Sequence, residues 1–225
     1  MKNPLVVSIV AAAVGDALSA AFIPGGNVAG VAISAIFEKR FKAARAILLS
    51  ELAAGEKTLN DSEVEELAAI TYRYLKAAQE GAARLNLRLL AGVFAGQVRG
   101  STIVADEFLY YADLLSSLRR DEIILLGTLE RFAIEVRNEG IGADNDEFAT
   151  QVSMRTRAAL IPSQFQDEAH YAAIAGALLR TGLVVGLSGW GTMVFIPSKL
   201  MAELSQLVEI EGVIQRDHAA QQFEA

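Results

Sequence analysis

From Asn3 to Phe37 the chain holds one ionisable side chain, Asp16, and charge resumes only at Glu38. Two apolar arms of helical length meet at Pro24-Gly25-Gly26-Asn27, a run of turn-forming residues, so residues 4–37 read as an apolar helical hairpin. A helix that is apolar all round must be covered by a core, a subunit interface or a bilayer. The pattern then turns amphipathic. Phe37, Phe41, Ala44, Leu48 and Leu52 share one helical face while Lys39, Lys42 and Arg45 mark the other, which predicts a helix over 38–54 that Gly55 ends. Ser62 and Glu65 match a capping box, and Val64, Ala68, Thr71, Leu75, Ala78, Ala82, Leu85, Leu89, Gly92 and Gly96 follow at alternating spacings of four and three. That heptad predicts one long helix over 62–98 with a seam of small residues. Gly92, Gly96 and Gly100 add a small-xxx-small face on which a second helix can approach closely.

Two further helices are expected over 103–118 and 121–137, meeting near Arg119-Arg120-Asp121. Val104, Phe108, Tyr111, Leu115 and Leu118 face inward from the first, and Ile124, Leu125, Leu129 and Phe132 from the second. "RNEGIGADND" (137–146) has the Gly, Asn and Asp content of a linker and sets the expected boundary of a helical domain spanning 1–140. The final third changes character. A helix over 146–160 precedes Pro162-Ser163. A second over 167–181 stops at Gly182. Two β-rich arms, Leu183–Leu187 and Thr192–Ile196, flank a turn containing Trp190, and Pro197-Ser198 opens a closing helix. This order of helix, glycine stop, hairpin and helix resembles the second half of a winged-helix module. The likeness covers residues 146–208, within a module drawn at 146–210 and followed by a tail over 211–225. The expected fold class is thus mainly α: a multi-helix bundle, then a small α+β module.

Composition adds a second constraint. Counting Gly and leaving out Tyr raises the apolar fraction to roughly 58%, above the usual 45–50%. The excess points to a subunit interface, a membrane face or both. The net charge is −7 and the pI near 5.0, which disfavours general nucleic-acid binding because that needs clustered Lys and Arg. The absence of cysteine excludes disulfides and thiolate chemistry and fits the cytoplasm.

The chemical motifs on offer are weak. "DEAH" (167–170) spells a helicase signature but does not end an apolar strand, and "GEKT" (55–58) lacks the spacing of a phosphate-binding loop. "GLSGW" (186–190) misses the nucleophile elbow because Trp190 stands where glycine is required. His170 and His218 are the only histidines, so a metal site would rest on acid pairs such as Glu107 with Asp113 or Glu63 with Glu66, which helix-face acids explain better. No catalytic, cofactor or metal residue is expected. In the winged-helix-like part the presumed recognition helix, "DEAHYAAIAGALLRTG", supplies a single base, Arg180, and the wing tip only Trp190, so a protein contact is expected rather than DNA.

The N-terminal stretch therefore carries most of the functional expectation. Lys2, Leu5–Val14 and Ala17-Leu18-Ser19 have the order of a secretion signal, but Asp16 beside the cleavage site opposes it. Basic residues flank both open ends of the hairpin, as in membrane hairpins, and in general plan it resembles the hydrophobic hairpin of pore-forming colicins. Against stable insertion stand small side chains and Asp16, which costs about 2.5–3.5 kcal/mol near the middle of a span. The favoured expectation is a non-enzymatic helical interaction protein. It self-associates through the hairpin or the small-residue seam and contacts an unidentified protein. Asp16, Pro24, Gly25, Gly26, Gly92, Gly96, Gly100, Arg180 and Trp190 are the candidate interaction residues. A membrane-active effector acting through residues 4–37 is the alternative, and a DNA-binding regulator the third reading.

Overall fold

Small and β-branched residues dominate the first turns of helix α1 (Val28–Leu52), and its second half repeats apolar positions that bury Phe41, Ala44, Ile47, Leu48 and Leu52. The computed structural model describes residues 12, 28–52, 61–100, 103–143, 145–188 and 193–222. Asp16, Pro24, Gly25, Gly26 and Trp190 lie outside them, as do the expected turn of the hairpin and the "GEKT" stretch. The described part of the expected second arm and the amphipathic helix after it are one element. No helix among the described residues is long and apolar enough to cross a membrane.

The chain is mainly helical, with a small two-stranded antiparallel sheet near its C-terminus. It divides into two compact units, residues 1–117 and 118–225. This corrects the expected boundary at 137–146, because the helix that precedes that linker packs onto the helices that follow it.

In the first unit the long heptad helix expected over 62–98 is broken. Helix α2 (Asp61–Glu80) ends at Gly81 and α3 (Arg84–Arg99) begins three residues later. Gly81 adopts φ 94°, a left-handed conformation that favours glycine. Ala82 N–H donates to Ala77 O (2.9 Å) and Gly81 N–H to Ala78 O (3.2 Å), the paired bonds of a Schellman stop. Arg40 donates to Gln79 O (2.9 Å) and satisfies another terminal carbonyl. The heptad spacing continues through the break, but a left-handed residue interrupts the helix that would have carried it. Helix α3 is buried from Leu85 to Val98 and packs against α1, α2 and α4 (Ala105–Ser116). Phe94 and Phe108 meet edge to face at 6.0 Å.

The second unit is organised around α5 (Arg120–Asn138), which contacts α6 (Asp146–Leu160), α7 (Glu168–Leu178), strand β2 and the last helix. Gly140, at φ 90°, stops α5 with the same bond pair: Gly140 N–H to Arg137 O (2.9 Å) and Ile141 N–H to Val136 O (3.3 Å). Asn145, Asp167 and Ser198 each cap a helix by accepting a backbone N–H, opening α6, α7 and α8 (Lys199–Leu207). Strands β1 (Val184–Ser188) and β2 (Met193–Pro197) pair with Val185 opposite Ile196 and Leu187 opposite Val194. Phe165, Tyr171 and Phe195 form an aromatic chain beneath them, with centroids 6.0 and 6.2 Å apart.

The expected tail over 211–225 is instead largely helix α9 (Ile210–Gln222), because Ile210, Val213 and Asp217 fall on one face and are buried. It approaches α5 closely at Gly127. A Cβ there would lie 3.0 Å from Ile214 Cδ1, 3.3 Å from Ile210 Cγ2 and 3.4 Å from the Glu211 amide. Gly127→Leu is therefore expected to lower the stability of this unit by about 1–3 kcal/mol through overpacking, read as a lower denaturation midpoint. An unchanged midpoint would mean that α9 is not held closely at that point.

Candidate functional site

Of the expected interaction residues, Gly92, Gly96, Gly100 and Arg180 lie among the described residues. Gly92 and Gly96 are buried within the chain, where α3 is enclosed, so the small-residue face serves internal packing; Gly100 is exposed just past the end of α3. The acids raised as metal ligands have structural partners. Gln97 Nε2 donates to Glu107 (2.8 Å), Arg73 pairs with Asp113 (2.7 Å), and Glu66 accepts from Ala105 N–H (2.5 Å) at the start of α4. Glu63 is itself buried. Tyr111 is buried and Tyr110 half exposed, with their rings 5.6 Å apart. Asp167 of "DEAH" is a helix cap, accepting from His170 N–H (2.8 Å).

Arg180, the one base in the 167–181 stretch, is half exposed but tied to the unit through its guanidinium. It bonds both carboxylate oxygens of buried Glu122 and the carbonyl of Ala177. Glu122 also accepts from Arg119 N–H (2.8 Å) at the start of α5. Burial alone would push the Glu122 carboxyl up. The Arg180 guanidinium and the Arg119 amide outweigh it and hold the carboxyl below its ordinary range.

The other cations of this unit are committed in the same way. Residues 118–225 contain fifteen acids and nine Lys or Arg, so −6 of the −7 net charge lies there. Seven of the nine bases are ion-paired to an acid of the same unit. Arg157 also donates to Met193 O (2.9 Å) at the edge of β2 and lies 5.4 Å from the Tyr171 ring centroid. Phosphate binding needs free cations on one surface, and these are neutralised locally. The exposed side of α7 is Glu168, Ala169, Ala172, Ala173, Gly176 and Ala177, which offers no basic or amide group for base reading.

The exposed surface of the hairpin is instead apolar. Val185 and Leu187 are 41% and 40% exposed, and their cross-strand partners Ile196 and Val194 on the same face are half-buried. Val184 and Phe195, on the other face, are buried. Leu179 and Met193 are also exposed, and both approach Gly186. Sequence reading located these strands but not this surface, because a run such as "LVVGL" is apolar on both faces and does not say which one is covered.

The same unit contains a small cleft of about 80 Å³ between α5 and α8, lined by Glu130, Ile134, Arg137, Pro197, Met201 and Ser205 among others. Glu130 is 6% exposed and accepts weakly from Ile210 N–H (3.4 Å). Burial pushes its carboxyl up and the nearby Glu209 and Glu211 add to the effect, while the bonds from Ser205 and Ile210 offset only part of it. Ser205 Oγ–H donates to Met201 O (2.8 Å) and lies beside the same carboxyl. Sequence reading missed Glu130. The signal was faint: a lone acid in "LLGTLERFAI", between inward-facing leucines.

No family model matches this chain, and neither the curated proteins nor the solved structures yield a significant match to it.

Proposed function

We propose that this chain is a non-enzymatic helical interaction protein whose C-terminal unit is a winged-helix-like module adapted to hold protein rather than DNA. In this reading α5, α6 and α7 are the three helices of the module and β1–β2 its wing, a wider extent than residues 146–210. The observation that carries the reading is the wing's outer face, where Val185, Leu187, Val194 and Ile196 stand in place of the cations a DNA-binding wing presents. Exposed apolar surface of this kind suits a protein contact, and the acidic balance of the unit favours a partner of basic character. Self-association belongs in this reading to the apolar N-terminal stretch, since Gly92 and Gly96 are taken up in internal packing.

The test compares the full chain with its Val185→Lys/Leu187→Lys variant by sedimentation equilibrium and by co-purification from the native host. Both substituted positions are exposed, so the variant is expected to fold with an unchanged circular dichroism spectrum. The wild type is expected to sediment at a multiple of 24.1 kDa in detergent-free buffer, and the variant to retain that mass while losing its co-purifying protein. A monomeric wild type would remove self-association, and an unchanged partner set in the variant would remove the wing as the docking surface. Tight duplex DNA binding at physiological salt would overturn the protein-binding assignment altogether.

A further inference from the structure

The cleft at Glu130 holds a buried carboxyl with no ion-pair partner among the described residues. Positions 130, 133, 134 and 137 of α5 follow the i, i+3, i+4, i+7 spacing and form one wall. Met201, Ala202 and Ser205 of α8 form the other, and Pro197 lies at the end of β2. The Glu130 carboxyl is therefore placed in an otherwise largely apolar slot, beside the amino end of α9.

Of the cations nearest in sequence, Arg131 is paired to other acids, and Arg137 shares the cleft wall without pairing to Glu130. Arg131 bonds Glu211 (3.0 Å) and Glu135 (3.3 Å). Arg137 lies two turns further along α5, with its guanidinium 5.3 Å from the Phe148 ring centroid. Among the described residues no Lys, Arg or His forms an ion pair with Glu130, and the charges that bear on it from around the start of α9, Glu209 and Glu211, are acids. Buried carboxylates are ordinarily paired, because an unpaired charge at low dielectric is expensive. Here no cation pairs with the carboxyl, and an open cleft lies beside it. Its volume suits about two or three waters, or the tip of a straight alkyl chain ending in a single charged group. A planar guanidinium is wider than such a tip and needs a bidentate partner to fit well.

We infer that the Glu130 cleft is a binding site for a primary alkylammonium group: the methylenes lie against Ile134, Met201 and Pro197, and the ammonium bonds Glu130 and Ser205 Oγ. The inference does not depend on the wing as a docking surface. The chemistry is shared by a lysine side chain of a partner protein and by a free small amine, and the experiment separates the two.

The full chain, labelled with ¹⁵N, is titrated with n-butylammonium chloride and, separately, with N-acetyl-lysine amide, at an ionic strength held constant with sodium chloride. Saturable shifts of the Ile134, Ser205 and Ile210 amides are expected. Glu130→Gln keeps the shape and an acceptor for Ile210 N–H but removes the charge, and should weaken binding by at least about tenfold, as expected for losing a charge-assisted bond. Ala202→Leu keeps Glu130 but fills the slot, and should abolish binding. Binding of both ligands assigns the site to a lysine presented on a chain, whereas binding of butylammonium alone assigns it to a free amine. Absence of any saturable shift up to tens of millimolar, or equal binding by Glu130→Gln, overturns the inference.

Discussion

Tyr74→Ala is expected to destabilise the N-terminal unit by about 3–5 kcal/mol, the largest single effect among these predictions. The ring is fully buried in α2, and its hydroxyl donates to Ala44 O of α1 across 2.9 Å. Truncation removes both the packing volume and a bond that joins two helices. Tyr74→Phe separates the two contributions, because it keeps the ring and loses only the hydroxyl; about 1 kcal/mol is expected from it. Denaturant unfolding followed by far-ultraviolet circular dichroism reads both values. A similar loss for the two variants would mean that the hydroxyl, not the ring, holds α1 to α2.

Tyr74 also bears on alkaline stability. Burial pushes its hydroxyl well above the ordinary value of 10.0, with opposing contributions from Arg88, which lowers it, and Glu51, which raises it. An acid whose folded value is raised keeps its full contribution below the unfolded value and loses it as pH rises beyond that point. The N-terminal unit should therefore weaken progressively above pH 10, and Tyr74→Phe should flatten that part of the curve.

Arg180→Ala is expected to destabilise the C-terminal unit by about 2–3 kcal/mol, because it leaves Glu122 as an uncompensated buried carboxylate. The cost falls near the lower end for a broken buried pair, since the arginine side chain is 47% exposed and water can replace part of it. Acid titration supplies a second readout. The Glu122 carboxyl sits below its ordinary value of 4.5, so its contribution is present above that pH and is lost as pH falls toward the lower folded value. Arg180→Ala should remove this acid-side dependence, and Glu122→Gln/Arg180→Ala should recover part of the lost stability. An unperturbed midpoint in the single variant would show that the pair is dispensable, and Arg180 would then be available for an external ligand.

The local signals of fold were largely written in the chain. The glycine stop at Gly182, the cap at Ser198 and the two apolar arms that pair as β1 and β2 each act within a few residues, so their chemistry is readable without neighbours. The helices around Phe108 and Leu125 were also readable from spacing, although of the positions expected to face inward Val104 is exposed and Ile124 and Phe132 are only half-buried. The long helix failed for a local reason that was also present. "QEGAARL" contains a glycine free to adopt positive φ, but the heptad counted through Ala82 gave no weight to backbone conformation. The boundary between units failed for a different reason. Gly and Asn mark a flexible connection, yet only packing decides that α5, on the near side of that connection, belongs with the helices beyond it.

Sequence by itself determined that this protein is mainly helical, cysteine-free, acidic toward its C-terminus and supplied with a single base, Arg180, over residues 167–182. Periodicity, charge and turn chemistry are properties of neighbouring residues. Tertiary structure alone decided that Arg180 pairs with Glu122 across 58 residues, that the β1–β2 strand pair leaves Val185 and Leu187 part-exposed, and that Glu130 is buried in a cleft without an ion-pair partner of its own. Each of those depends on which surfaces come together in space, and burial, dielectric and pairing are set there.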